Sequence, residues 1–206
     1  MIIHLENLSK RFNREVLYQN INYTFSSDLP TAIIGQNGSG KSTLIQLIAG
    51  NQLPSSGKIN YESDGKVIDV ENIYSEVSIA APYLELIEEF TLLEQVQFHF
   101  RFKNLSSLAN IDEIIEDAYF TENRNKQIKN FSSGMKQRLK LMLAFNSDSR
   151  ILLLDEPTSN LDQKGIEWFN EKFKNQSKKV ILLASNQENE YSLCQKKLNL
   201  MEYKKC

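Results

Sequence analysis

Gly35-Gln36-Asn37-Gly38-Ser39-Gly40-Lys41-Ser42 decides how the rest of this chain reads. The stretch fits G-x-x-x-x-G-K-[ST], the phosphate-binding loop known as Walker A. Its glycines let consecutive backbone N–H groups turn inward around a phosphate, and the helix that follows adds its positive dipole end. The flanks agree with that reading. Pro30-Thr31-Ala32-Ile33-Ile34 is a short apolar run expected as a buried strand, and Thr43 to Ala49 is expected as a helix stopped by Gly50. Gly35, Asn37, Gly38, Ser39, Gly40, Lys41, Ser42 and Thr43 are therefore the candidate nucleotide-binding residues of this stretch. Lys41 is expected to reach the β- and γ-phosphates, and the Ser42 hydroxyl to ligate Mg²⁺.

Outward from the loop, the N-terminal part predicts strands. Ile2-Ile3-His4-Leu5 begins one, and Val16-Leu17-Tyr18 and Ile21 to Phe25 continue the β-branched and aromatic pattern. The basic stretch Ser9-Lys10-Arg11-Phe12-Asn13-Arg14 between them is expected as a turn-like connection. Lys58 to Tyr61 and Lys66 to Val70 flank Glu62-Ser63-Asp64-Gly65 as a hairpin, and Val77 to Ala80 is a further strand ended by Ala81-Pro82. From about Thr91 to Asn130 the strand signal gives way to helical spacing: Leu92, Val96 and Phe100, then Ile111, Ile115 and Tyr119. Strands return with Ile151 to Leu154 and Val180 to Ala184, continuous apolar runs of the kind buried on both faces of a parallel sheet. Between these, Ile166, Phe169 and Phe173 give a helix one apolar face, with Asp162 as its N-cap. Leu198 to Met201 is expected as a last strand.

Two further stretches carry chemistry. Ile151-Leu152-Leu153-Leu154-Asp155-Glu156 is an apolar strand ending in two acids, which places carboxylates at the edge where parallel sheets bind ligands. Asp155 is expected to hold Mg²⁺, and Glu156 to polarise an attacking water as general base. Phe131-Ser132-Ser133-Gly134-Met135 precedes a helical run with Leu139, Met142 and Leu143 on one side. Its serines serve either as a helix cap or as phosphate donors at a helix N-terminus.

Composition narrows the function. At 206 residues the chain is long enough for one domain with a substantial core. A net charge of −2 and a pI near 5.8 argue against nucleic acid as the main partner. Cys194 and Cys206 sit in no metal or redox spacing and are expected as reduced thiols. Met1 to Glu6 shows no basic region ahead of a long apolar core, so no signal peptide is expected, and no apolar run approaches the roughly 20 residues that span a bilayer.

Together these stretches, in this order, resemble the nucleotide-binding domain of ABC (ATP-binding cassette) transporters across essentially the whole chain. Walker A is Gly35 to Ser42, Walker B is Ile151 to Asp155 with Glu156 beside it, the D-loop is Ser159-Asn160-Leu161-Asp162, and Phe131 to Met135 stands where the family's LSGGQ signature falls. The resemblance implies an α/β P-loop NTPase core with a mostly parallel sheet, an antiparallel β subdomain and an inserted helical lobe. In that division the core is about residues 1–80 and 150–206 and the lobe about 85–148. It implies binding of ATP and Mg²⁺, with Phe12 either stacking on adenine or simply filling core. It also implies head-to-tail pairing with a second copy or a paralogous cassette, in which Ser132, Ser133 and Gly134 act on the partner's ATP. A polytopic membrane permease follows as partner, with Leu84 to Phe90 a candidate docking surface, and a cytoplasmic position on the inner face of the membrane.

The chain departs from the family pattern at three places. Asn186 follows the strand Val180 to Ala184 where the family carries a histidine, and the two histidines present, His4 and His99, stand elsewhere. No glutamine lies between Gln52 and Gln95, which leaves Tyr83 as the stand-in for the Q-loop residue. The signature has Ser133 for a glycine and Met135 for a glutamine. Hydrolysis by such a chain is expected to be slow or partner-dependent. The alternatives are a non-transport ABC ATPase, or a cassette that uses ATP as a switch with weak hydrolysis.

Overall fold

The computed structural model describes residues 1–13, 15–106, 110–176 and 178–204. In chain order, β1 (Ile2–Phe12) and β2 (Glu15–Ser26) precede β3 (Thr31–Ile34) and α1 (Lys41–Ile48). The hairpin β4 (Ser56–Ser63) and β5 (Lys66–Ile68), the short α2 (Ile73–Glu76) and β6 (Val77–Ala80) come next. The helices α3 (Leu92–Phe102), α4 (Ile111–Asp117) and α5 (Ser133–Asn146) follow, then β7 (Ile151–Asp155), α6 (Gln163–Lys174), β8 (Val180–Ala184), α7 (Glu188–Tyr191) and β9 (Lys196–Asn199). Two sheets result: a parallel one in the order β6-β7-β8-β3-β9, and an antiparallel one in the order β2-β1-β4-β5.

The continuous apolar runs have the cause expected of them. Successive strand residues point to opposite faces, and both faces of the parallel sheet are covered. Leu152 and Leu154 of β7, with Ile181 and Leu183 of β8, pack into the core beneath α3, α4, α5 and α6. Ile151 and Leu153, with Val180 and Leu182, face the other way into a second core that holds α1 between the two sheets. Each such side chain contributes roughly 1.5–3 kcal/mol by leaving water.

Helix ends are specified locally. Gly50 has φ 76°, the left-handed conformation that closes a helix, and its N–H donates to the Leu47 carbonyl at 3.1 Å. Thr91 and Glu94 form a capping box at α3, and Asp162 caps α6 by accepting from the Gly165 N–H at 2.8 Å. Such caps each stabilise by about 1 kcal/mol.

Several expectations change. Ser9 to Phe12 is strand, because β1 runs on to Phe12 and pairs with an unbroken β2 through register shifts. The irregularities sit at Asn7 (φ 49°) and Asn20 (φ 55°), and Asn22 Oδ1 accepts from the Asn7 N–H at 2.9 Å. Bulges of this kind raise local twist without ending a strand. Arg14, and likewise Cys206, lies outside the described residues. Leu84 to Phe90 is a loop, tied to the lobe where Ile128 N–H donates to Phe90 O at 2.9 Å and Lys136 pairs with Glu88 at 2.5 Å. Tyr119 lies beyond α4 with φ 59° and is exposed, while Phe120 is buried in its place. On α6 it is Trp168, with Phe169 and Phe173, that fills the buried face; Ile166 is only half-buried. The last strand stops at Asn199, and Leu200–Tyr203 forms a 3₁₀ turn.

Candidate functional site

Parallel strands direct all their following loops to one edge, and here that edge gathers the candidate chemistry. β3 leads into the glycine loop, β7 into Asp155 and Glu156, β8 into Ser185 and Asn186, and β6 into Ala81 to Tyr83. Because β8 lies between β3 and β7, its loop stands between the glycine loop and the two acids.

The glycine loop is tightly folded. Gly38 and Gly40 take φ 77° and 95°, conformations that favour glycine, and a Cβ on Gly40 would lie 2.9 Å from the Tyr18 ring. The Ser39 N–H donates to Gln36 O at 3.0 Å, and α1 begins with Leu44 N–H donating to Gly40 O at 2.8 Å. The Lys41 ammonium folds back onto the carbonyls of Gly35 (2.9 Å) and Gln36 (3.3 Å). It is buried and has no carboxylate within ion-pair distance among the described residues. A cavity of about 430 Å³ lies over this loop, lined by Asn37, Gly38, Gly40 to Thr43, Glu156 and, from the β-hairpin tip, Phe12, Glu15 and Leu17. The Phe12 ring is 47% exposed, which rules out core filling as its role, and the Lys10 ammonium lies 4.8 Å from its centre.

Asp155 is 1% exposed, and neither carboxylate oxygen has a hydrogen-bond partner among the described residues. Burial pushes its pKa above the ordinary carboxylate range, with Glu156 and Glu190 adding to the rise and Ser42 and Lys41 opposing it. A buried carboxylate left bare beside an exposed serine hydroxyl fits a divalent cation held by oxygen donors. Among the described residues no three His, Cys, Asp or Glu side chains gather as a metal cage, so phosphate oxygens and water would complete the shell. Glu156 has φ 44°, left-handed for a non-glycine residue, with its N–H donating to Ala184 O at 2.9 Å. Its place on the wall of the cavity over Lys41 and Ser42 puts a carboxylate where an attacking water could sit.

The two substituted positions both reach this edge. Asn186 Nδ2 donates to Asn37 Oδ1 at 3.0 Å, so the loop after β8 touches the glycine loop. The Tyr83 hydroxyl has its pKa pushed up to about 12 by burial and by the Asp155 charge, with a hydrogen bond to Gln46 opposing.

Ser132, Ser133 and Gly134 are not brought to that cavity. They line a separate one of about 240 Å³ with Met135, Arg138 and Asn160 to Asp162. Ser132 caps α5, its Oγ accepting from the Met135 N–H at 3.2 Å. A Cβ on Gly134 would lie 2.5 Å from the Asn160 carbonyl oxygen, so this helix start rests on the D-loop backbone. A further groove, of about 740 Å³, is elsewhere again, lined by Pro82, Leu84 to Glu89, Lys136 and Lys140.

Two residues at the site carry no motif and were not singled out from the sequence. Gln137 Nε2 donates to Pro157 O at 2.9 Å, and Glu190 accepts from the Thr158 N–H at 2.7 Å. Both are buried polar side chains, on α5 and α7 respectively, that bond to the loop after Glu156.

The family model described as ABC transporter matches residues 18–159. An uncharacterized ABC transporter ATP-binding protein of Bacillus subtilis, YybJ, is 31% identical over 205 residues, covering 94% of this chain and 89% of that one. The Nod factor export ATP-binding protein I of Rhizobium johnstonii is 30% identical over 163 residues, covering 78% of this chain; the chain spans 52% of that relative's length. Among solved structures, a dimeric ATP-binding cassette in a post-hydrolysis state, bound to ADP and Pi, superposes with a TM-score of 0.81 at 22% identity, covering 96% of this chain and 93% of that one. Among the described residues no helix is long and apolar enough to cross a membrane.

Proposed function

The chain belongs to the ABC transporter family as an ATP-binding subunit, and from that premise we propose that it binds Mg-ATP, pairs head to tail with a second cassette, and hydrolyses ATP to drive a separate permease. The observation that carries this is Asp155: a buried carboxylate with two unpartnered oxygens, across from a lysine that has only loop carbonyls to bind.

In this reading the N–H groups from Gly38 to Lys41 hold the phosphates, Lys41 exchanges its two carbonyl partners for β- and γ-phosphate oxygens, and Thr43 supports the first turn. Phe12 stacks on the base. Ser42 and Asp155 would hold the Mg²⁺, which when bound would neutralise charge developing on the phosphates. Glu156 accepts the proton of the attacking water. Asn186 donates a hydrogen bond toward the γ-phosphate but cannot carry a proton, and the Tyr83 hydroxyl substitutes for the missing glutamine. Ser132, Ser133 and Gly134 serve the partner's nucleotide, for which their separation from this chain's own cavity is the support. The groove of Leu84 to Glu89 is the docking surface for the permease, and that partner keeps the chain at the cytoplasmic face of the membrane. A second reading, an ATP-driven switch with weak turnover, is favoured by Asn186 and by the absent Q-loop glutamine, and opposed by Glu156.

The test is hydrolysis of Mg-ATP by the purified chain and its Lys41→Ala variant. We expect measurable turnover, lowered in the variant by about 100-fold or more through lost charge stabilisation. A wild-type chain that neither binds nor hydrolyses ATP overturns the reading; in a separate pull-down of the chain from solubilised membranes, failure of any multi-spanning membrane protein to copurify overturns its transport part.

A further inference from the structure

Glu156 holds a backbone conformation that is costly for a glutamate and persists only where surrounding structure over-determines it. The residues after it show how that is done. The Ser159 N–H donates to Glu156 O at 3.1 Å and the Leu161 N–H to Thr158 O at 3.1 Å, which curls the loop on itself. From one side Gln137 of α5 grips the Pro157 carbonyl at 2.9 Å. From the other, Glu190 of α7 takes both donors of Thr158, the N–H at 2.7 Å and the hydroxyl, on a single oxygen, Oε1.

Glu190 is 1% exposed, and its other oxygen, Oε2, is buried with no partner among the described residues. It has no cation within ion-pair distance among them. A buried carboxylate without a counter-charge weakens a fold unless its hydrogen bonds return something, and bonds to an ionised acceptor are the strong kind. Here they return the fixed position of Thr158, two residues from Glu156. The same segment carries Asn186, four residues before Glu190 and bonded to Asn37 of the glycine loop. The stretch after β8 therefore holds the glycine loop at one end and the Glu156 loop at the other.

We infer that Glu190 is a positioning residue that locks the Pro157–Thr158 turn and thereby aims the Glu156 carboxylate at the cavity over Lys41. The inference rests on the reading of Glu156 as general base, so its test includes a measurement that does not depend on turnover. Amide hydrogen exchange is compared among wild type, Glu190→Ala, Glu190→Gln and Thr158→Val. In Glu190→Ala the Ser159 and Leu161 amides are expected to exchange roughly tenfold faster or more, while Leu44 and Ala49 of the α1 region stay unchanged. Glu190→Gln, which keeps an acceptor oxygen, is expected to restore most of that protection. Thr158→Val, which removes only the hydroxyl donor, should fall between the two, and stands in if the alanine variant does not fold. In steady-state hydrolysis, kcat of Glu190→Ala is expected to drop by about 100-fold with KM for ATP unchanged, the signature of a misaimed base. Unchanged exchange at Ser159 and Leu161, or equal loss at every amide, overturns the inference. If wild type shows no turnover, the hydrolysis reading fails while the exchange data still decide the clamp.

Discussion

The cavity over Gly35 to Thr43 and the cavity beside Ser132 to Gly134 differ in what they leave unsatisfied. Behind the first, whose wall includes Ser42 and Glu156, both buried Asp155 oxygens are without a partner among the described residues, and Lys41 has settled on two loop carbonyls. In the second, the Ser132 oxygen is already occupied by the Met135 N–H, and Gly134 is pressed against the Asn160 carbonyl. The first has the electrostatics of a site prepared for a ligand of its own. The second is shaped by its own backbone contacts, and the polar atom it leaves unpartnered among the described residues is a cationic donor, Arg138 Nε, rather than a carboxylate. In the proposed head-to-tail pair, one copy would supply charge and catalysis and the other the closing surface.

The comparison breaks most directly at Gly134. A methyl group there would meet the Asn160 oxygen at 2.5 Å, so the D-loop or the helix start must shift. Gly134→Ala is expected to reduce ATP turnover by about 100-fold through displacement of this surface, with nucleotide affinity of the single chain unchanged. Equal loss of nucleotide binding would mean the two cavities are not independent. A smaller effect sharpens the first cavity. Asn186→His restores a group able to carry a proton beside Asn37, and kcat is expected to rise about tenfold. An unchanged rate would show that proton transfer at this position does not limit turnover.

The first cavity was far more legible in the sequence than the second. A phosphate loop needs glycines at fixed spacing, and an apolar strand ending in acids can hardly point elsewhere than the sheet edge, so Gly38, Gly40, Lys41 and Asp155 announce themselves. Gly50 and Asp162 were readable for a similar reason, since a helix end is a local event. Ser9 to Phe12 misled because its polar, basic composition resembles a turn, whereas paired asparagines at the bulge keep the strand going to Phe12. The loop form of Leu84 to Phe90 is not written in its own residues, because the Phe90 and Glu88 carbonyls are taken by the Ile128 and Lys129 N–H groups, far away in sequence. Glu190 was invisible: it stands in the polar run Gln187 to Glu190, and only tertiary structure buries it against Thr158.

The central claim, that ATP joins two copies across these two cavities, is tested most directly by light scattering of Glu156→Gln with saturating Mg-ATP. Removing the base while keeping its size should trap the nucleotide. The account predicts a stable dimer that retains ATP and disperses to monomers when ATP is removed. A variant that binds ATP yet stays monomeric at every concentration would contradict it.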